Sequence, residues 1–343
     1  MRVLVTGAAG FIAPHVADAF EKAGHEVIRT DIRVVGDGGI VPSDLESLAS
    51  MLSVTEDVEV VCHLGGVGDV YLAFAQPHTA ASANAVGTAN LLEACSRNGV
   101  QKVIYASTWE VYGDPQYQPM DEAHPCNPDH PYGITKLAGE RLVMAYDRLK
   151  GLPGVGLRIG TAYGLGMRAN SVFSIFIRRA MHKEPITIKG TGQQSRQFTH
   201  VTDVARAFVL ACQCDVRGEV FNIVATEDVS ISQLAHMVAK RMPTDIRYED
   251  ARVGDVQPAR VSDTKAHETL GWHPGVSFEE GLLAMIDEAE LAEAAISGTT
   301  LGAPLDARGG THGARGMGPG AKAPGERHEV QAQASRLGPT KGV

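Results

Sequence analysis

Tyr132 and Lys136 are the residues of this 343-residue chain whose types and spacing best suit acid–base chemistry. They lie four positions apart in "YGITK", within a predicted helix from about Tyr132 to Leu149, so both side chains would share one face. A free phenol has a pKa of about 10 and is a weak base at neutral pH, but a neighbouring ammonium group stabilises the phenolate. Tyr132 would then remove a proton from a substrate hydroxyl.

Ser107, Thr108 and Glu110 lie in "YASTWEVYG", where the predicted strand "KVIYAS" comes to its end. The carboxyl ends of parallel strands are the places where ligands meet an open sheet. Thr108 would donate to a substrate hydroxyl and share its proton with Tyr132, although a threonine there also suits a cap on the following turn. Glu110 is a candidate base, whereas Trp109 between them has no titratable proton.

The stretch "VTGAAGFIAPH" joins a predicted strand to a predicted helix through closely spaced glycines. In loops that cradle a dinucleotide, the first glycine makes the turn and the second lets the backbone approach the pyrophosphate. Gly7 and Gly10 would fill these two roles. Ala13 stands where a third glycine is usual, and Pro14 falls in the first helical turn, where at most one hydrogen bond is lost. The loop is therefore predicted to bind a dinucleotide.

Asp31 ends the next predicted strand, "EVIRTD". A carboxylate at this place accepts hydrogen bonds from the adenosine ribose hydroxyls and repels a 2′-phosphate, which favours NAD over NADP. Arg33, two residues later, would weaken that preference. Asp44, followed by Leu45, would reach the adenine, although a solvated loop aspartate is the other interpretation.

The elements that must position these residues alternate between strand and helix from the first residue to about Gly164. Predicted strands such as "RVLVTG", "VEVVCHLGG" and "VGLRIG" are separated by helices, among them one from about Ala83 to Arg97. This alternation predicts an α/β fold with a parallel sheet covered on both faces, which is the Rossmann-type doubly wound arrangement.

The predicted domains follow from changes in this pattern. Residues 1–165 would form the dinucleotide-binding domain, with a return segment near 197–225, and residues 166–290 a smaller α/β capping domain for the substrate. Ligands commonly bind between two such domains. Residues 291–343 are rich in Gly, Ala and Pro, so we expect a disordered tail.

Composition excludes several classes of function. The formal net charge of −9 argues against a nucleic-acid partner, because such binding needs clustered Lys and Arg. The five cysteines are spread without metal-site spacing, so we expect reduced thiols and no metal. With no apolar run long enough to span a bilayer, we expect no membrane partner and a cytoplasmic location.

The chain resembles the extended short-chain dehydrogenase/reductase family of nucleotide-sugar epimerases and dehydratases. The resemblance runs from about Met1 to Ala289 and rests on motifs in the family's order and spacing: "TGAAGFIA", "HLGG", "NAVGTANLLEA", "ASTWEVYG", "YGITK", "GQQSRQFTHVTDVA", "FNI" and "RVGD".

The resemblance implies site residues beyond those already derived. The cofactor contacts for NAD would come from these residues: Gly7, Ala9, Gly10, Phe11, Ile12, Asp31, Asp44, Leu45, Leu64, Ser107, Tyr132 and Lys136. Arg196 and Arg252 would grip the diphosphate of a nucleotide sugar, since guanidinium groups make forked bonds to phosphate. Thr108, Trp109 and Thr161 would contact the substrate, with Thr161 standing where the family often has asparagine.

The resemblance leaves more than one reaction open. Epimerisation at C4 through a transient 4-keto sugar needs only Tyr132, Lys136, Thr108 and the cofactor, and it is the reaction we expect. The alternative is a 4,6-dehydratase or a glucuronate decarboxylase that uses Glu110 as base, although Trp109 occupies the position where dehydratases are expected to carry an acid. The helices near 83–97 and 132–149 resemble those that pair in family dimers, so we expect a homodimer.

Overall fold

The structure is a computed structural model that describes residues 1–34, 39–250 and 259–297. The strands within these ranges are Arg2–Thr6 (β1), Glu26–Asp31 (β2), Ile40–Pro42 (β3), Val60–His63 (β4), Lys102–Thr108 (β5), Gly154–Ile159 (β6), Thr161–Tyr163 (β7), Ile186–Lys189 (β8), Ser195–Arg196 (β9), Phe198–His200 (β10), Glu219–Ile223 (β11), Val229–Ser230 (β12) and Ile246–Glu249 (β13).

The helices of the same ranges are Ile12–Lys22 (α1), Leu48–Val54 (α2), Val70–Ala75 (α3), Pro77–Ala81 (α4), Gly87–Asn98 (α5), Pro131–Lys150 (α6), Val172–Met181 (α7), Val201–Gln213 (α8), Ile231–Arg241 (α9), Thr264–Leu270 (α10) and Phe278–Ser297 (α11). A π-helical turn, Ser82–Val86, precedes α5, and a 3-10 turn, Trp109–Val111, follows β5.

Seven of these strands form one parallel sheet in the order β11-β6-β5-β4-β1-β2-β3. Helices α1 and α8 bury Phe20 and Phe208 against one face, and α2, α5 and α6 bury Met51, Leu91 and Val143 against the other. Burial on both faces explains why the central strands β1 and β4 are largely apolar. The predicted doubly wound α/β fold is confirmed.

The strand order reverses between β1 and β4, because the chain runs outward from β1 through β2 to one edge and from β4 to the other. In open parallel sheets, the crevice beyond the carboxyl ends of two such strands is the usual ligand site. The loops after Thr6 and His63 border this crevice, and β5 ends one strand further along.

A second apolar core packs beside the sheet and includes Phe173, Ile186, Leu234 and Phe278. Helix α8 and strand β11 return from this region to the large sheet, where Phe221 of β11 lies beside Leu157 of β6. The chain then supplies β12, α9 and β13 to the second core. It therefore passes back and forth between the two cores.

Helix α11 corrects one predicted boundary. The tail was expected to begin at residue 291, but α11 continues to Ser297, so residues 291–297 are helical. Ala, Glu and Leu dominate this stretch and favour a helix. Residues 298–343 lie outside the described part of the chain. None of the described helices has the length and apolar character needed to cross a membrane.

A buried polar network ties together the carboxyl ends of β1 and β4. The fully buried His63 ring has Nδ1 2.8 Å from Thr6 Oγ1 and Nε2 3.0 Å from Thr88 Oγ1. Thr88 donates to the carbonyl of Asn84 at 2.6 Å, while Thr6 Oγ1 accepts the amides of Leu64 and Gly65. The directions of these bonds are mutually consistent when neutral His63 carries its proton on Nε2.

Burial lowers the pKa of His63 to about 3, and the charge of Lys136 acts in the same direction. Between pH 6.5 and about 3, His63 therefore binds a proton in the unfolded chain but not in the folded chain. The stability contributed by neutral His63 is complete above pH 6.5 and is lost as the pH falls.

We predict that His63→Gln, which cannot titrate, flattens the pH dependence of unfolding. The wild-type free energy of unfolding should fall relative to the variant by up to about 1.4 kcal/mol per pH unit between pH 6.5 and 4.5. Urea denaturation at several pH values measures the difference. The exposed His182→Gln control should keep the wild-type slope, and parallel curves for wild type and His63→Gln would contradict the prediction.

Candidate active site

The turn after β1 has the geometry of a phosphate-cradling loop. Gly7 has a positive φ of 75°, and a Cβ on it would lie 2.8 Å from the amide nitrogen of Gly65. The amide of Gly10 donates to the carbonyl of Gly7 at 2.8 Å, which closes the turn. Only glycine fits at Gly7, because the backbone of the loop after β4 passes directly beside it.

The N-terminus of α1 is available to an anion. In the described structure, no side chain caps the helix at Phe11, and no acidic residue lies in its first turn, which begins at Ile12. Ala13 is buried against the sheet, and Pro14 occupies the third helical position, where a missing amide costs little. Free amides and the helix dipole suit a pyrophosphate, so these residues fit NAD.

Asp31 lies directly beside this loop at the end of β2. Its carboxylate accepts the amide of Ala9 at 3.0 Å through Oδ2 and the amide of Arg33 at 2.8 Å through Oδ1. The guanidinium of Arg33 folds back to the carbonyl of Ala9 at 3.0 Å while remaining largely exposed. The Asp31 carboxylate is thus held in one position, with the guanidinium of Arg33 next to it.

Asp44 and Leu45 follow β3 and approach the same crevice. Asp44 is half-buried, and its Oδ1 accepts the amide of Glu46 at 2.9 Å in a tight turn. Leu45 packs against the loop after β4, since a Cβ on Gly65 would lie 3.0 Å from Leu45 Cδ1. Leu64 lies in the same loop, and its backbone carbonyl carbon would be 2.9 Å from a Cβ on Gly7.

Tyr132 and Lys136 lie one turn apart near the N-terminus of α6. Burial raises the pKa of Tyr132 and the charge of Glu110 raises it further, whereas a hydrogen bond with Thr108 and the charge of Arg168 lower it. Burial lowers the pKa of Lys136 to about 7, with buried Glu140 opposing that shift. A second positive charge near Tyr132 would favour its phenolate.

Tyr105 and Asn84 hold this part of α6 in place. The Nζ of Lys136 lies 4.3 Å from the centre of the Tyr105 ring, whose hydroxyl donates to the Lys136 carbonyl at 3.3 Å. A Cβ on Gly139 would lie 2.3 Å from that hydroxyl, so glycine is required for the contact. The Nδ2 of Asn84 donates to Thr135 Oγ1 at 3.0 Å.

Asn84 is a site residue that the sequence analysis did not single out. From the π-helical turn, its side chain also accepts the amide of Val67 at 2.8 Å and donates to that residue's carbonyl at 3.1 Å. A Cβ on Gly66 would collide with Asn84 Oδ1, which explains why this loop ends in glycine. The sequence signal that could have revealed Asn84 is an amide side chain among the small and apolar residues that precede α5.

Thr108, Trp109 and Glu110 form the turn that faces α6. Thr108 Oγ1 accepts the amide of Glu110 at 3.3 Å, so the threonine also caps the turn, as the alternative interpretation held. Trp109 packs against a small apolar cluster that includes Val111 and Met120. The Glu110 carboxylate lies 3.1 Å from Nε2 of His130, a second residue that the sequence analysis did not select.

Ser107 takes part in a buried hydrogen-bond network at the end of β5. Its hydroxyl donates to the buried carboxylate of Glu140 at 2.6 Å, and Arg158 forms a fork with the same carboxylate at 3.0 and 2.7 Å. Glu140 and Arg158 are both almost fully buried. The Ser107 hydroxyl therefore belongs to this network within the sheet, and its contact with the cofactor stays a prediction.

An ion pair joins the two sides of the crevice. Arg168, in the segment after β7, pairs with Asp69, which follows β4 and caps α3 by accepting the amides of Tyr71 and Leu72. The charge of Arg168 also acts on Tyr132. The pair therefore lies near Tyr132.

The predicted substrate contacts lie on separate elements. Thr161 begins β7 and is paired in register with Phe198 of β10. Arg196 lies in β9, half-buried, and its guanidinium donates to the Ser195 carbonyl at 2.6 Å. Arg252 lies outside the described residues. The ranges that the structure describes contain no group of three His, Cys, Asp or Glu residues that could hold a metal ion.

Comparison with known proteins gives results that agree with this geometry. Residues 3–224 match the model of the NAD dependent epimerase/dehydratase family. The UDP-glucose 4-epimerase of Mycolicibacterium smegmatis is 31% identical over 310 residues, which cover 84% of this chain and 98% of that protein.

Solved structures give the same picture. A UDP-glucose 4-epimerase from Thermotoga maritima with UDP-glucose has a TM-score of 0.80 and 31% identity, with 85% of this chain and 100% of that chain covered. A UDP-glucuronic acid 4-epimerase from Bacillus cereus, in complex with UDP-glucuronic acid and NAD, has a TM-score of 0.78 and 29% identity over the same shares. The chain belongs to the NAD dependent epimerase/dehydratase family.

Proposed function

We propose that this protein is an NAD-dependent nucleotide-sugar epimerase that inverts C4 through a transient 4-keto sugar. The observation that carries the proposal is the meeting of Tyr132, Lys136 and Thr108 beyond the carboxyl end of β5. Relatives named as UDP-glucose and UDP-glucuronic acid 4-epimerases support a UDP-sugar as substrate.

The chain's own residues would move one proton during the reaction. The Lys136 ammonium stabilises the phenolate of Tyr132, which accepts the proton of the C4 hydroxyl while Thr108 donates a hydrogen bond to hold that oxygen. Tyr132 returns the proton when the ketone is reduced on its other face. NAD, when bound, supplies a reversible hydride acceptor and a positive charge. The cycle has no net redox change, so no external reductant is needed.

The cofactor and nucleotide contacts are part of the same proposal. Gly7, Gly10 and the N-terminus of α1 would bind the pyrophosphate of NAD, and Asp31 its adenosine ribose, which favours NAD over NADP. Arg196 and Arg252 would bind the diphosphate of the nucleotide sugar.

A dehydratase or decarboxylase is the second candidate, because Glu110 contributes a carboxylate whose charge acts on Tyr132. Elimination of water also needs an acid for the departing hydroxyl. Trp109, next to Glu110, has no titratable proton. We therefore favour epimerisation.

The reaction is tested by incubating the purified protein in heavy water with UDP-, GDP- and TDP-sugars and no added reductant. We expect an isomer of unchanged mass without deuterium on carbon, because the same hydride leaves and returns. Mass spectrometry and NMR identify the product. Loss of water or carbon dioxide would instead establish the second candidate.

We predict that Tyr132→Phe reduces kcat by at least about 100-fold, since a positioned acid–base group contributes that much, while bound NAD is retained. Turnover assays and the NAD content of the purified variant measure the two effects. The exposed Tyr117→Phe is the matched control and should retain the wild-type rate. A Tyr132→Phe variant with half the wild-type rate would contradict the assignment.

We further propose a homodimer that forms through α6 and the neighbouring α3 and π-helical turn. Tyr71, Phe74, Val86 and Ile134 are large apolar side chains with 50–75% of their surface exposed on these adjoining elements. Apolar patches of this kind mark interfaces, and a second copy would cover the patch through the helices expected to pair.

We predict that Ile134→Asp shifts the protein from dimer to monomer, because a charge would be buried at the interface. Light scattering at micromolar concentration measures the mass of both proteins. Leu291→Asp, an exposed leucine on α11, is the control and should remain dimeric. A monomeric wild type would refute the proposed dimer.

A further inference from the structure

His130 has a separate partner for each of its ring nitrogens. It is the N-cap of α6, where Nδ1 accepts the amide of Gly133 at 3.2 Å, and its Nε2 lies 3.1 Å from Oε2 of Glu110. The ring also stacks on Tyr132, with 6.2 Å between ring centres and 8° between planes. One side chain thus connects the start of α6, the Glu110 turn and the reacting phenol.

These contacts define the tautomer of His130. A backbone amide can only donate, so Nδ1 must be unprotonated to accept from Gly133. In a neutral imidazole the proton is then on Nε2, where it is donated to the Glu110 carboxylate. Glu110 therefore accepts a hydrogen bond from a group that the helix cap already fixes.

The backbone around the pair leaves little room for another arrangement. A Cβ on Gly133 would lie 2.8 Å from the carbonyl oxygen of Glu110 and 2.9 Å from Pro128 Cβ. Pro131 follows His130 at the first helical position and sets the direction of the chain there. The turn that carries Glu110 is thus packed directly on the helix start.

We propose that His130 is a positioning residue that fixes the Glu110 carboxylate through Nε2–H and so prevents Glu110 from acting as a carbon base. This inference rests on the proposed epimerase function and deepens it. It explains how a chain with a glutamate beside its catalytic tyrosine gives epimerisation without elimination.

The chemistry that His130 prevents is specific. In a 4-keto sugar, the C–H bonds next to the ketone are acidic. An unrestrained Glu110 carboxylate would take the C5 proton, the C–H electrons would move to the ketone oxygen as an enolate, and in heavy water a deuteron would return to C5. A carboxylate oxygen that accepts the imidazole N–H has a fixed direction and one lone pair fewer with which to take a carbon-bound proton.

Several charged or titratable groups face this pair. Asp129 acts on His130 from the same loop, Tyr132 lies on the helix, and Arg168 acts on Tyr132 from the segment after β7. The hydrogen bond from His130 to Glu110 raises the pKa of His130, while partial burial opposes the shift. Protonation of Nδ1 would break the bond from Gly133, so the helix cap favours the neutral ring.

The test replaces His130 while keeping the helix cap. Asparagine is a preferred N-cap residue, so His130→Asn can still accept the Gly133 amide, but its short side chain does not reach Glu110. His200 caps α8 in the same manner, with Nδ1 facing the Thr202 amide, and His200→Asn is therefore the matched control.

We expect His130→Asn in heavy water to raise the deuterium on sugar carbon, per C4 turnover, by about tenfold or more, as an added general base would. The double variant His130→Asn/Glu110→Gln should return this ratio to the wild-type level, and Glu110→Gln alone should leave C4 epimerisation largely intact. His200→Asn should not change the ratio. An unchanged ratio in His130→Asn would overturn the proposal.

A second measurement does not depend on turnover. Long-range ¹H–¹⁵N spectra of the full-length wild-type protein at pH 8 should show His130 with its proton on Nε2 and a bare Nδ1, and a proton on Nδ1 would refute the positioning role. If this tautomer is found but no nucleotide sugar is epimerised, the proposed function fails while the His130–Glu110 arrangement stands.

Discussion

The buried charge of Glu140 constrains the whole reacting centre. This carboxylate lies on α6 one turn beyond Lys136, and it accepts hydrogen bonds from Ser107 of β5 and Arg158 of β6. A buried charge without such partners is strongly destabilising, so the helix has only one place on the sheet. The positions of Tyr132 and Lys136 relative to the end of β5 depend on this network together with the contacts that Asn84 and Tyr105 make with α6.

The same principle governs the polar groups around the crevice. Among the described residues, every buried side-chain nitrogen or oxygen has a hydrogen-bond partner. Thr6 and Asn84 bond backbone groups of neighbouring loops, and the His63 ring lies between the hydroxyls of Thr6 and Thr88. These side chains therefore connect neighbouring elements. Such fully satisfied networks hold a site in one geometry before any ligand arrives.

Contacts between residues close in sequence could be predicted, whereas contacts between residues far apart in sequence could not. The Tyr132–Lys136 pair lies within one helix, and the turn at Gly7 is closed by the Gly10 amide within one loop, so spacing alone reveals both. The close approach of Gly65 to Gly7 is a long-range contact that spacing does not reveal. The His130–Glu110 contact joins residues twenty positions apart, and the Ser107–Glu140 bond joins residues 33 apart. These pairs arise from how α6 lies on the sheet, which no local pattern encodes. The end of α11 differed because helix propensity outweighed the approaching Gly-rich composition.

The shared connections between the two cores have a mechanical consequence. Residues 1–293 form one compact unit, although their apolar side chains fall into distinct clusters on either side of the crevice. The chain crosses between these two clusters five times: after β6, at the start of α8, after β11, between β13 and α10, and before α11. A cut in any one crossing would leave the others intact. Because unfolding of either cluster would free the ends of chain segments in the other, we expect the two clusters to unfold in one cooperative transition.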